Sequence, residues 1–92
     1  MSNSKTSVTT FGEGYVIKPG EKQNYSAASE DGVWYSFNVS KAFSTVDKKQ
    51  AVLTIINGWA SGPGTSNGPW CSVENTSADP VKYNLLILSV KS

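Results

Sequence analysis

The chain has no histidine, no arginine, one cysteine and one methionine, and no apolar run of membrane-spanning length. Each absence excludes a class of chemistry. Without histidine there is no ordinary Ser-His-Asp triad and no imidazole to activate a thiol. Without arginine there is no planar fork for a two-point grip on phosphate or carboxylate. All eight positive charges are lysines, the net charge is +1, and they form no basic stripe. Nucleic acid, whose affinity comes largely from neutralised phosphates, is therefore not an expected partner. Cys71 stands alone, so no internal disulfide and no thiolate metal cluster can form. It reads as a small buried hydrophobe.

Acid–base catalysis fares no better. Glu13, Glu21, Glu30, Asp31, Asp47, Glu74 and Asp79 are the whole acidic supply, mostly in turn-like contexts. Hydrolytic pairs need two carboxylates roughly 5–10 Å apart across a cleft, and no spacing here marks one. No motif marks a Ser–Lys pair, and none has calcium-loop spacing. The expectation is a protein without catalytic residues, metal or cofactor. The opening segment "MSNSKTSVTTF" has no apolar core of a secretory signal, so synthesis in the cytoplasm is expected and the final location stays open. Asn-x-Ser sequons begin at Asn24, Asn38 and Asn75, as a chain rich in Asn and Ser produces by chance.

What is present is β chemistry. No window carries apolar residues at helical spacing; short β-branched and aromatic runs alternate with turn signals instead. Strands are expected near Ser7–Phe11, Tyr15–Lys18, Lys22–Ala27, Val33–Ser40, Ala51–Asn57, Trp70–Asn75 and Val81–Lys91. "FGEG", "KPG", "SEDG" and "SADP" supply the turns, and "SKAFSTVDKK" has room for one helical turn. The predicted fold is all-β: a single small antiparallel β-sandwich domain over residues 1–92, with jelly-roll or Ig-like topology and about seven strands. The fragments "VIKPGE" and "GPWC" resemble pieces of the aegerolysins. That family's β-sandwich fold and membrane binding are what the resemblance implies, over those few residues only.

Alternation then sorts the faces. In "VWYSFNVS", Val33, Tyr35, Phe37 and Val39 share a core face, leaving Trp34 outside with Ser36, Asn38 and Ser40. In "PWCSVEN", Cys71 and Val73 point in, and Trp70, Ser72 and Glu74 point out. Trp59 lies in the Gly/Pro-rich stretch "NGWASGPGTSNGPW", among Asn57, Ser61, Thr65, Ser66 and Asn67. Rigid aromatic plates framed by small polar residues form a recognition surface at low entropic cost. The indole suits the C–H face of a sugar ring, so a glycan is the expected ligand, with Trp34, Asn57, Trp59, Asn67, Trp70 and Glu74 as candidate contacts.

"AVLTIIN" and "YNLLILSV" carry apolar residues on both faces, and a two-layer sandwich buries one. If these strands pair, Leu53, Ile55, Leu86 and Leu88 are candidates for a homo-oligomer contact that covers the second face. Three functions are consistent with this reading: a lectin-like carbohydrate-binding module, a structural virion or surface component, and a membrane-surface binder.

Overall fold

The computed structural model describes residues 5–59 and 68–91. Within them the chain forms six strands and no helix: β1 (Lys5–Ile17), β2 (Lys22–Ser26), β3 (Val33–Ser44), β4 (Thr54–Gly58), β5 (Trp70–Glu74) and β6 (Val81–Lys91). They make two antiparallel three-stranded sheets, ordered β1-β6-β3 and β2-β5-β4. The sheets pack face to face around Ile17, Phe37, Val81, Tyr83 and Leu85 from the first and Leu53, Cys71 and Val73 from the second. The strands of the first sheet are about twice as long as those of the second. One end of the long sheet therefore extends past the core.

Two expected strands are one. Ser7–Phe11 and Tyr15–Lys18 both belong to β1, because "FGEG" is a bulge and not a turn. The ladder to β6 runs Thr10↔Leu86, Gly12↔Leu85, Tyr15↔Tyr83, slipping register twice without breaking. Gly14, at φ 71°, takes the left-handed conformation that such a bulge requires. Its N–H finds Asn84 Oδ1 at 3.0 Å in place of a ladder partner. The Tyr15 ring lies where a side chain at residue 12 would stand, so only glycine fits there.

The expected helical turn in "SKAFSTVDKK" is also absent. β3 continues to Ser44 through a bulge between Ser40 and Phe43, with Lys41 at φ 51°. The buried Ser44 then closes a turn: its hydroxyl accepts from Val46 and Asp47 N–H and donates to Asp79 Oδ2 at 3.2 Å. At the β1–β2 junction, Pro19 and Gly20 (φ 76°) build a turn in which Glu21 N–H donates to Lys18 C=O at 3.0 Å. Glu21 Oε1 accepts the Lys18 N–H at 2.8 Å, and that bond lowers the Glu21 carboxyl below its ordinary value.

The two strands that are apolar on both faces do not pair with each other. β4 is an edge of the second sheet and β6 the centre of the first. Ile55 stands opposite the buried Val73, and Leu53 is itself buried, so both face the core. This corrects their assignment to an intersubunit contact: the register gives them the inner face. The outward sets are Val52 just before β4 and Ile56 on it, and Leu86, Leu88 and Val90 on β6, on opposite outer surfaces of the sandwich.

The core holds titratable groups that keep their protons. Burial pushes the Cys71 thiol up to about 11. Burial also raises the Tyr83 hydroxyl, which bonds the Tyr25 hydroxyl at 2.7 Å, and Tyr25 is raised for the same reason. A group that ionises later when folded stabilises fully below its unfolded pKa and loses that contribution as pH rises through the folded one. For Cys71 that window runs from about 9 to about 11. Urea midpoints are expected to stay level to about pH 9 and then fall, with a shallower fall in Cys71→Ala.

Candidate functional site

The site lies where the long sheet outruns the short one. Two positions, Asn57 near the end of β4 and Trp59 just after it, hold the free edge of β3. Asn57 places its amide against the Phe37 backbone: Oδ1 accepts the Phe37 N–H at 2.7 Å, and Nδ2 donates to the Phe37 carbonyl at 3.0 Å. The side chain thus pairs with an edge strand as another strand would. Asn57 stands opposite Cys71 in the β4–β5 ladder, which gives it the inner face of its sheet and aims it across at β3.

Two residues on, Trp59 continues along the same edge. Its ring stacks with Tyr35 at 6.0 Å and 16° between planes, and meets Trp34 at 6.2 Å and 48°. Trp34 and Tyr35 are successive residues on β3, so they point to opposite faces. One indole therefore straddles the strand and touches both. Trp34 is 66% exposed and Trp59 44%, unusually wet for rings this large. Trp34 is wet because alternation puts it outside a sheet whose outer face carries no second layer among the described residues.

Below these rings the β2–β3 turn closes the site. Val33 N–H donates to the Glu30 carbonyl at 3.2 Å, and Gly32 sits at φ 78° where the turn needs a left-handed residue. Glu30 and Asp31, both exposed, stand on this turn. Together with Trp34, Trp59 and Gly68 they line a hollow of about 310 Å³. That is near the lower bound of small-molecule sites. A shallower apolar depression of about 330 Å³ continues over Trp34, Tyr35, Gly58 and Trp59.

Of the residues predicted from sequence, Trp34, Asn57 and Trp59 come together. Asn57 does so with its amide committed to Phe37 rather than to the hollow. Trp70 lies elsewhere, on the outer face of the short sheet, where its ring covers Gly58 so closely that a Cβ there would overlap it. Its Nε1 is buried without a hydrogen-bond partner among the described residues. Glu74 is four residues further along β5, roughly 13 Å away at strand rise, and opposes Lys22 across the ladder. Asn67, Ser61, Thr65 and Ser66 lie outside the described residues. Sequence reading missed Tyr35, Glu30 and Asp31. The signal was present, since "SEDG" abuts "VW" and a turn that feeds a strand must lie beside its first residues.

Among the described residues no three His, Cys, Asp or Glu side chains are grouped to hold a metal ion. No protein-family model matches the chain, and no curated protein or solved structure matches it either.

Proposed function

We propose that this protein is a non-catalytic, lectin-like binding module that holds a saccharide against Trp34 and Trp59. The observation that carries the reading is the convergence of two exposed indoles on one hollow whose rim carries two carboxylates. A sugar ring offers an apolar C–H face to an indole and hydroxyls to acceptors. Carboxylates accept strong hydrogen bonds from such hydroxyls. Trp59 stacks on Tyr35 and follows the Asn57 clamp, contacts that reduce the ordering cost opposing binding. A hollow of about 310 Å³ suits one or two sugar units.

The strand order supports the jelly-roll alternative over the Ig-like one. Pairs β1–β6 and β2–β5 nest inside one another, and the Asn57 clamp puts β4 against β3 as the innermost pair. Rolling such a nested hairpin gives these two sheet orders.

Titrating the protein with a panel of neutral and acidic mono- and disaccharides while recording tryptophan fluorescence tests the function. A saturable shift is expected for at least one sugar. Trp34→Ala and Trp59→Ala should each weaken it about tenfold or more, the worth of an aromatic contact of roughly 1.4 kcal/mol. Glu74→Gln, at the far end of β5 and outside the lining of the hollow, should leave the affinity unchanged. No response to any sugar, together with a blank glycan array, overturns the reading.

A further inference from the structure

The long sheet has two edges, and they are treated differently. The β3 edge is closed. Asn57 occupies Phe37, Trp59 lies over Trp34 and Tyr35, and the returning chain bonds Ala42 and Ser44 through Ala51 N–H and Lys49 C=O at 3.0 and 2.9 Å. The β1 edge is open. Residues Lys5 to Thr10 are all exposed, pair only with β6 among the described residues, and extend beyond the short sheet. Open edges are normally blunted by proline, charge or a bulge. Here Thr6–Phe11 reads "TSVTTF", with no proline and no charge, and the bulge begins only after Thr10. Such a segment is a template for another strand.

The sequence of this edge says which strand. Folded about Val8, "TSVTT" is nearly its own mirror: Thr6 falls opposite Thr10, Ser7 opposite Thr9, and Val8 opposite Val8. Thr–Thr, Thr–Ser and β-branched pairs are favourable across antiparallel strands. The only charge, Lys5, falls opposite Phe11, near Glu13 and far from the other Lys5. We propose that two copies of this chain join through antiparallel pairing of their β1 edges about a two-fold axis at Val8, forming one continuous six-stranded sheet.

The symmetry also limits the assembly. An isologous contact uses the open edge of both copies, and the far edges of the long sheet are closed by Asn57 and Trp59, so growth of this sheet stops at two. On the outer face, Val8 sits beside Leu88, and Thr10 beside Leu86. Pairing therefore places the Leu86 and Leu88 rows of the two copies on either side of a shared Val8 seam. The inference deepens the homo-oligomer expectation but does not rest on the saccharide reading: the Trp34–Trp59 hollow lies along the β3 edge, and only Glu30 and Val33 line both it and the groove over Lys5, Thr6 and Ser7.

Light scattering on size-exclusion fractions of the full chain at 1–100 µM tests it. The wild type is expected to be a dimer. Val8→Lys and Val8→Glu each put like charges directly opposite at the axis, and should weaken association tenfold or more. Val8 is 60% exposed in a single copy, so both variants should keep the wild-type melting curve within a few degrees. The diagnostic step is mixing: equal amounts of the two variants should form a heterodimer where neither self-associates. A wild type that is monomeric at 100 µM overturns the proposal, as do Val8→Lys and Val8→Glu proteins that remain dimeric. A Leu88→Lys variant that dissociates while Val8→Lys does not would move the contact to the sheet face and overturn it equally.

Discussion

Asn75→Asp is expected to remove about 3–5 kcal/mol, most of the margin a domain of this size possesses. Asn75 is fully buried, and every polar atom of its side chain is engaged. Nδ2 donates to the Ile17 carbonyl at 3.0 Å and the Asp79 carbonyl at 2.8 Å; Oδ1 accepts the Ser77 N–H at 2.9 Å and its hydroxyl at 2.6 Å. Its own backbone bonds Glu21 and Gly20, so one residue joins the ends of β1, β2 and β5. Aspartate is nearly isosteric but has no donor. It would aim a buried carboxylate at two carbonyl oxygens, where neither solvent nor a cation offsets it.

The pH dependence identifies the cause. In the variant the folded carboxyl titrates above its unfolded value, so the destabilisation should shrink in acid and grow as pH rises through the folded pKa. Asn75→Ala, which strands the same partners without adding charge, should cost about 2–3 kcal/mol with no such trend. Urea unfolding at pH 4 and pH 7 distinguishes the two, and a cost below 1 kcal/mol for Asn75→Asp would remove Asn75 from its structural role. The burial also bears on the sequon that begins there: its amide nitrogen is occupied inside the fold, whereas those of Asn24 and Asn38 are on exposed residues.

Asn75 shows where sequence reading stops. As the last residue of an expected strand and the first of a chance sequon it carried no signal of its own, and nothing in "ENTSADP" says that its side chain ties the end of β1 to the β5–β6 loop. Period-two alternation did carry information, because burial of one face is a local consequence of pleating. Cys71 and Val73 are inside, Trp34 is outside, and Phe37 is at the centre. Pairing partners were not readable in the same way. Val52 and Leu53 look equivalent in "AVLTII", and only the packing of the second sheet on the first buries one and exposes the other. "FGEG" had the composition of a turn, yet Asn84 and the Tyr15 ring make it a bulge. The aromatic pair at the site was legible as two outward rings but not as a pair. Trp34 and Trp59 meet only because β4 runs up the edge of β3, a contact between sheets that no local pattern encodes.

That contact makes Asn57 the most informative residue near the site. Asn57→Leu keeps the volume and removes both hydrogen bonds, leaving the Phe37 N–H and C=O without their partner at the sheet edge. The expected loss is about 2–3 kcal/mol, the cost of two partly buried backbone groups left unmade. In a domain this small that corresponds to roughly 10–20 °C in melting temperature. A surface contact residue would behave otherwise, weakening a ligand while leaving the melting curve alone. Asn57 is expected to do both, in a fixed order. The melting temperature should fall first, and sugar affinity should fall with it because Trp59 loses the anchor two residues before it. Asn57→Asp provides the control. It keeps the acceptor for the Phe37 N–H and loses the donor to the carbonyl, and because residue 57 is exposed, unlike Asn75, water screens its carboxylate from that carbonyl, so its stability should lie between those of wild type and Asn57→Leu. If Asn57→Leu melts like the wild type yet loses a sugar response, the side chain serves the ligand directly and the clamp has no energetic weight. Were it to melt early while the affinity at low temperature stayed intact, the Trp59 ring would be held by Tyr35 alone, and the corner between the two sheets would not be what shapes the hollow.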